Sequence, residues 1–206
     1  SGERLVDYFE KNIFEPLGMK DTYFELPEDK LDRSVTMMAR TEDQLIVSSF
    51  GQPTAQDRHS MPFYSGGGGL YSTVEDYGHV LQMLLNSGTA NDSQVLTART
   101  VDSMFHNHIG ELRPKVLVTQ VPEVSNDADL AFGASATFGL GLLIHPEGLP
   151  SRRRANTGSW AGLFNTYYWI DRDSDLYGIF GTQILPFYDA ATISTLASFE
   201  QAVYSD

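Results

Sequence analysis

The residues best suited to chemistry lie near the C-terminal end of the sequence, in the stretch Thr157–Gly162 (TGSWAG). Two runs rich in aromatic and β-branched residues follow, 163–170 and 176–185, and they flank an acidic turn, a pattern that predicts an antiparallel hairpin. A substrate lying along such a strand would meet the Trp160 indole, which offers apolar area and one N–H donor, and the flat backbone at Gly162. This stretch is therefore the first candidate for a surface that binds an apolar ligand.

Other kinds of site find little support in the residue patterns. The chain contains no Cys, which excludes thiol nucleophiles, disulfides and thiolate metal sites. Its five histidines, at positions 59, 79, 106, 108 and 145, include neither a His-Glu-x-x-His motif nor a pair at i, i+4 spacing, so we expect no metal site. The run Gly66–Gly69 lacks the Gly-Lys-Ser/Thr ending of a P-loop, which argues against phosphate binding.

The composition is that of a globular protein. Of the 206 residues, 41% are hydrophobic and 20% are charged, which predicts one structural unit around a substantial core. The net charge of -13 would repel phosphate backbones and anionic lipid headgroups, so we expect neither a nucleic acid nor a membrane as a partner. The one basic run, Arg152–Arg154, is interpreted as a solvated turn. The absence of Cys leaves the compartment open, because many exported proteins also lack it.

The N-terminal part of the chain predicts one helix and then irregular structure. Leu5, Phe9 and Ile13 fall on one helical face. The helix should end before Pro16, because proline disfavours helical geometry in the residue before it. Residues 20–66 show no sustained apolar period and predict irregular chain.

Three further helices are predicted from their N-terminal caps. Ser72 and Glu75 have the spacing of a capping box, so a helix should start at Thr73. Shorter and terminal helices should be capped by Thr97 and Asp189. Between these helices, residues 110–136 predict a lid or rim loop, and a strand is expected over 137–144. The elements together predict an α+β architecture, with helices packed on an antiparallel sheet.

Four segments carry a resemblance to a known family. In chain order they are Ile13–Thr22 (IFEPLGMKDT), Gly66–Thr73 (GGGGLYST), Trp160–Asp171 (WAGLFNTYYWID) and Thr182–Phe187 (TQILPF). Together they closely resemble the serine β-lactamase-related superfamily, specifically the class C-like branch that contains family VIII carboxylesterases and related acyltransferases. The likeness spans most of the chain and implies a β-lactamase/transpeptidase-like fold.

The resemblance also implies which residues bind substrate. In this family the site is built from Ser-x-x-Lys, Tyr-x-Asn and a third motif on a sheet strand, which is Lys-Thr-Gly in β-lactamases and often Trp-Gly-Gly or Trp-Ala-Gly in the esterases. Trp160, Ala161 and Gly162 match the esterase form, and the backbone N–H of Leu163 would be an oxyanion donor. A second alignment, through Asn156-Thr157-Gly158, would restore chemistry like that of Lys-Thr-Gly. An indole in place of a cation suits an uncharged ester better than a β-lactam carboxylate.

The two other family motifs are missing from the chain. No Ser is followed by Lys three residues later, and no Tyr is followed by Asn two residues later. Ser151 is followed by Arg154, whose guanidinium stays charged and cannot act as a base. We therefore expect residues 1–206 to be the C-terminal portion of a single β-lactamase-like domain, without its N-terminal strands and the helical region that bears the nucleophile.

Two functions follow as hypotheses. In the first, the chain is the C-terminal part of a serine hydrolase that acts through an acyl-enzyme on ester or other acyl substrates, needs no cofactor, and is inactive without its N-terminal segment. Its partners would be a small-molecule substrate and either an N-terminal fragment of the same protein or a second copy of the chain, since an open sheet edge tends to pair. In the second, the chain is a non-catalytic β-lactamase-like module for ligand sensing or protein association.

Overall fold

The computed structural model describes residues 1–42, 44–52 and 63–205. The helices are α1 (Leu5–Phe9), α2 (Glu15–Leu17), α3 (Val74–Leu85), α4 (Ala98–Met104) and α5 (Ala190–Val203). A π turn, Glu10–Phe14, joins α1 to α2, and a 3-10 helix spans Glu28–Arg33. The strands are β1 (Met38–Arg40), β2 (Leu45–Val47), β3 (Thr89–Ala90), β4 (Ser93–Gln94), β5 (Thr137–Phe138), β6 (Leu143–His145), β7 (Thr157–Gly162), β8 (Thr166–Asp171), β9 (Leu176–Phe180) and β10 (Ile184–Leu185). None of the helices in the described residues is long and apolar enough to cross a bilayer.

The central element is an antiparallel five-stranded sheet in the order β5-β6-β7-β8-β9. Successive side chains of β8 point to opposite faces, so Ile170 joins the apolar cluster around α3 and Trp169 joins the cluster around α5. Both side chains are fully buried. Helices therefore cover both faces of the sheet, and the predicted α+β architecture is confirmed.

A second sheet lies in the segment that was predicted to be irregular. It has the order β10-β1-β2, with β1 parallel to β10 and antiparallel to β2. The prediction for residues 20–66 is therefore wrong in part. The reason is that β2 is only three residues long and exposed throughout, so it shows no alternation of apolar and polar residues. Residues 43 and 53–62 lie outside the described part of the chain.

The predicted hairpin is present as β8 and β9, but its limits differ. The first strand begins at Thr166 instead of residue 163, because residues 163–165 form the turn that follows β7. The run 176–185 leaves the main sheet after Phe180, and its last residues form β10 in the second sheet. The predicted strand 137–144 is likewise divided into β5 and β6 by a turn.

The N-terminal helix continues through Pro16, contrary to the prediction. The π turn leads into α2, and Pro16 occupies the first turn of α2, where no intrahelical N–H donor is needed. The helix ends at Gly18, which has a left-handed φ of 71°. The Gly18 N–H donates to the Glu15 carbonyl and the Met19 N–H to the Phe14 carbonyl, which makes a Schellman C-terminus.

Helix α3 starts one residue later than predicted. Its N-cap is Thr73, whose side chain accepts a hydrogen bond from the Asp76 N–H at 3.0 Å. Ser72 instead lies 2.8 Å from the Thr22 hydroxyl, measured between the two oxygens. The two positions offer similar hydroxyls, and the tertiary contact to Thr22 decides which one caps the helix.

The basic run is part of a buried ion cluster and not a solvated turn. Arg152 Nε donates to Glu200 at 2.7 Å, and Arg153 Nη2 donates to the same carboxylate at 2.6 Å. Arg153 and Glu200 are buried, and the Arg153 guanidinium lies 5.5 Å from the centre of a Trp169 ring. Only Arg154 is exposed as predicted. The cluster fastens α5 to the sheet, a contact that the local sequence does not reveal.

His145 on β6 is fully buried beside this cluster. Burial lowers the pKa of its imidazole to about 4, and the Arg153 guanidinium acts in the same direction, while Glu200 and the Ala131 carbonyl oppose the shift in part. A histidine in the unfolded chain takes up its proton near pH 6.5. Between about pH 6.5 and 4 the unfolded state therefore binds more protons, and the native state loses stability as the pH falls.

We predict that His145→Gln removes most of this acid sensitivity. Between pH 7 and pH 5, the unfolding free energy of the unsubstituted chain should fall by about 2 kcal/mol more than that of the variant. Only the unsubstituted chain has an imidazole at position 145 that takes up a proton on unfolding. Urea unfolding at both pH values measures the difference. His106→Gln, at an exposed histidine, is the control, and equal pH dependence in the native chain and His145→Gln would contradict the assignment.

Candidate active-site wall

Strand β7 passes from the core to the surface within six residues. It pairs with β8 from Gly158, opposite Ile170, to Gly162, opposite Thr166. It pairs with β6 only as far as Ser159. Thr157–Ser159 are accordingly buried, whereas Trp160 is 36% exposed and Gly162 is exposed. Beyond Ser159 the side of β7 that faces β6 is left without a pairing strand among the described residues, and an extended ligand could lie along it.

Trp160 presents its indole at this free end of β7. Its ring is met edge-on by Phe138, with the ring centres 5.1 Å apart and the planes at 85°. On β8 the residue opposite is Tyr168, whose hydroxyl has a raised pKa because of burial and the neighbouring Tyr77. Among the described residues, nothing accepts a hydrogen bond from the Trp160 indole N–H. The role of Trp160 in substrate binding stays a prediction.

Gly162 and Gly158 have different reasons to be glycine. A Cβ on Gly158 would lie 2.7 Å from the Phe105 ring, so the core requires glycine there. A Cβ on Gly162 would come no closer than 3.7 Å to any neighbour, at Thr166, which is ordinary contact. The fold itself does not require glycine at 162. A flat backbone at this exposed position is consistent with the close approach of a substrate.

Leu163 stands at the turn that follows the wall. Its side chain is 42% exposed, and its backbone N–H has no hydrogen-bond acceptor in the described ranges of the chain. The turn is closed by the Asn165 N–H, which donates to the Gly162 carbonyl at 3.0 Å. The role of Leu163 as an oxyanion donor stays a prediction.

Asn165 is the residue of this region whose role was missed in the sequence. It is fully buried with a left-handed φ of 60°, and its Nδ2 donates to the Ile184 and Pro186 carbonyls, both at 2.8 Å. Its Oδ1 accepts from the Tyr167 hydroxyl at 2.9 Å and the Asp189 N–H at 3.3 Å. Asn165 thus fixes the turn that carries Leu163. An Asn inside an otherwise apolar run, at a position suited to left-handed geometry, is the signal that could have found it.

The other two segments of the resemblance also meet, at the start of α3. The Asp76 carboxylate accepts hydrogen bonds from the Asp21 N–H at 2.7 Å and from the Thr22 hydroxyl at 2.8 Å. The Tyr23 and Tyr71 backbones pair beside this contact. These contacts hold the start of α3, the helix that packs on β8 and β9. None of them involves a residue of the wall.

In the alternative alignment through Asn156-Thr157-Gly158, only Asn156 is exposed. Thr157 is fully buried and its hydroxyl donates to the Arg154 carbonyl at 2.8 Å. Gly158 is buried under Phe105. A substrate cannot reach these two residues, which disfavours this alignment.

The remaining candidates for chemistry lie apart from one another. Within the described residues there is no group of three or more His, Asp or Glu side chains placed to hold a metal ion. His59 lies outside the described part of the chain. His106 and His108 are exposed and bond to the backbone of their own helix end, at Asp102 and Ser103.

We predict that Asn165→Asp destabilises the chain by about 3 kcal/mol, because two buried carbonyls would lose their donor and face an oxygen atom. Urea unfolding at pH 7 measures the change. Asn126→Asp is the matched control, since Asn126 is exposed and donates one long hydrogen bond of 3.3 Å. A loss at Asn165 no larger than that at Asn126 would show that the four hydrogen bonds do not hold the turn.

Comparison with known proteins supports the family resemblance over nearly the whole chain. A Beta-lactamase family model matches residues 1–198. Lovastatin esterase from Penicillium rubens is 27% identical over 198 residues, covering 90% of this chain and 47% of the esterase. Monacolin J acid methylbutanoyltransferase from Aspergillus terreus is 29% identical over 217 residues, covering 100% of this chain and 50% of the transferase. The chain thus spans about half the length of these relatives.

Solved structures agree on the fold. Unliganded simvastatin synthase (LovD) from Aspergillus terreus, as its selenomethionyl derivative, is 25% identical with a TM-score of 0.75, covering 98% of this chain and 49% of the synthase. A penicillin-binding protein homologue from Caulobacter crescentus, at 16% identity, shares the fold with a TM-score of 0.62, covering 97% of this chain and 53% of the homologue. The predicted β-lactamase/transpeptidase-like fold is confirmed, and the chain spans about half of that fold in the solved structures. The chain belongs to the β-lactamase family.

Proposed function

We propose that this chain supplies the substrate-binding wall and one oxyanion donor of a serine hydrolase or acyltransferase that works on uncharged esters. The observation that carries the proposal is the free end of β7, where Trp160 and Gly162 are exposed along a strand without a pairing neighbour on one side. An extended acyl group fits such an edge, because backbone groups and a flat glycine lie along it.

The chemistry would be acyl transfer through a covalent intermediate. A serine oxygen attacks the ester carbonyl, the alcohol leaves with a proton, and the acyl-enzyme then passes its acyl group to water or to a second alcohol. Negative charge develops on the carbonyl oxygen in both steps. The Leu163 N–H, held by the turn that Asn165 fixes, would stabilise that charge, and removing such a donor costs about 3 kcal/mol in other hydrolases.

The nucleophile is not assigned to this chain. Its 206 residues contain neither Ser-x-x-Lys nor Tyr-x-Asn. We propose that both motifs come from an N-terminal segment of the same protein and that the 206 residues are inactive by themselves. The relatives, which are about twice as long and are named as an esterase and an acyltransferase, support this reading.

The partner of this chain would bind at the outer edge of β9. In the described residues β9 pairs with β8 alone, so the backbone groups on its other side lack a strand partner. We propose that the N-terminal segment of the same protein covers this edge, or a second copy of the chain in its absence, because open sheet edges tend to pair.

A second candidate function is a non-catalytic module that senses a ligand or associates with another protein. The absence of Ser-x-x-Lys and Tyr-x-Asn from the sequence favours it. Such a module could bind an ester at Trp160 but would leave it intact.

We predict that the purified 206-residue chain does not hydrolyse p-nitrophenyl acetate, whereas the complete gene product does so in a manner blocked by a serine-directed inhibitor. A colorimetric assay of both preparations measures this. Inhibitor-sensitive turnover by the chain alone would contradict the proposal. A complete gene product that binds the ester without turnover would favour the second candidate.

Gly162→Ala tests the wall directly. In the complete gene product we expect kcat/KM for p-nitrophenyl acetate to fall about 10- to 100-fold, because the added methyl group displaces the acyl group from the strand. The unfolding free energy should change by less than about 0.5 kcal/mol, since among the described residues the new Cβ would come no closer than 3.7 Å, an ordinary contact with Thr166. Gly158→Ala, two residues earlier on the same face, is the control and should lose about 1–3 kcal/mol of stability. Unchanged turnover in a stable Gly162→Ala protein would exclude this wall from the site.

A further inference from the structure

Phe138 makes the one aromatic contact that Trp160 has among the described residues. The two rings meet edge to face, at 5.1 Å and 85°, which is a favoured aromatic geometry. β6 pairs with β7 only as far as Ser159, so no strand of the described residues is paired with β7 beside Trp160 on that side. Trp160 is 36% exposed, and the Phe138 ring packs against its indole.

The backbone around Phe138 is held on two sides. The Phe138 carbonyl accepts a hydrogen bond from the His108 N–H at 2.9 Å, and the Gly139 N–H donates to Leu142 at 2.8 Å. The Leu140 N–H donates to the Met104 carbonyl at 3.2 Å, so the end of α4 also fixes this turn. Hydrogen bonds thus tie the backbone next to Phe138 to the end of α4, to His108 and to the residue before β6.

The approach of α4 to this turn is possible only at a glycine. A Cβ on Gly139 would lie 1.9 Å from the Met104 carbonyl oxygen. The residue that follows Phe138 therefore has no side chain, and α4 lies directly against the backbone. This contact sets the position of Phe138 relative to β7.

Two further exposed side chains at this end of the sheet are apolar. Leu140 lies in the turn between β5 and β6, which the antiparallel register places at the same end as Trp160, and it is 46% exposed. Leu163, at the end of β7, is 42% exposed. An apolar surface of this kind gains from covering an apolar group and offers no cation to a carboxylate.

We propose that Phe138 is the positioning residue that holds the Trp160 indole against the substrate, and that the two rings with Leu140 select esters whose acyl group is an uncharged apolar chain of about four carbons or more. The specificity part rests on the function proposed above. The positioning part does not, and it can be tested in the 206-residue chain.

The positioning test uses the two indole N–H signals of the 15N-labelled chain, assigned with Trp160→Phe. Phe138→Leu should shift the Trp160 signal and leave that of Trp169 in place. Phe199→Leu is the matched control, because Phe199 meets Trp169 edge-on at 5.5 Å and 69°. It should shift only the Trp169 signal. A Trp160 signal that does not move in a folded Phe138→Leu chain would overturn the positioning role.

The specificity test compares p-nitrophenyl acetate with p-nitrophenyl hexanoate in the complete gene product. In Phe138→Leu, KM for the hexanoate should rise about two- to tenfold, the range expected from losing one edge-to-face aromatic pair, with a smaller change for the acetate and in kcat. Trp160→Ala should show the same selective loss, and Phe199→Leu should not.

The outcomes separate the two proposals. Equal loss for both esters in Phe138→Leu, or no loss, would overturn the apolar specificity. A complete gene product without any ester turnover would overturn the proposed function and the specificity with it. In that case the indole signals alone still decide whether Phe138 positions Trp160.

Discussion

The candidate site depends on an unequal pairing of strand β7. Pairing with β8 runs from Gly158 to Gly162, so β7 is fixed in the sheet, whereas pairing with β6 stops at Ser159. The first half of the strand is therefore buried, and among the described residues the second half is paired on its β8 side alone. Residues in such a half-paired strand keep the geometry of a sheet without losing access to a ligand. Asn165 and the Arg152–Arg153 pair hold the two ends of this strand, and Leu163 follows its free end.

The supports of β7 come from distant parts of the chain. Asn165 ties the turn after the wall to the segment before α5, and Arg152 and Arg153 tie the loop before the wall to Glu200 on α5. Buried hydrogen bonds of this kind favour the one arrangement of the chain in which these donors meet their acceptors. The turn with Leu163 and the start of β7 are thereby held by the same C-terminal segment.

The sequence predicts the parts of the molecule that local patterns encode. The hairpin, α5 and the exposed Trp160 follow from alternation, capping residues and the family resemblance. Short strands such as β2 carry too few residues for a period, and the capping of α3 by Thr73 instead of Ser72 depends on a contact with Thr22. The burial of Arg153 depends on Glu200, and the hydrogen bonds of Asn165 depend on carbonyl groups about 20 residues further along the chain. These features are tertiary, and no window of local sequence contains them.

The position of the free edge has a consequence for how such a protein can change over evolutionary time. Thr157–Ser159 are buried in the core, whereas Trp160 and Gly162 in the second half of the strand are exposed. Under the proposed function, substitutions at Trp160 or Gly162 would alter which acyl groups are accepted, with little effect on folding. A strand divided in this way would let new specificities arise by single mutations while the scaffold is conserved.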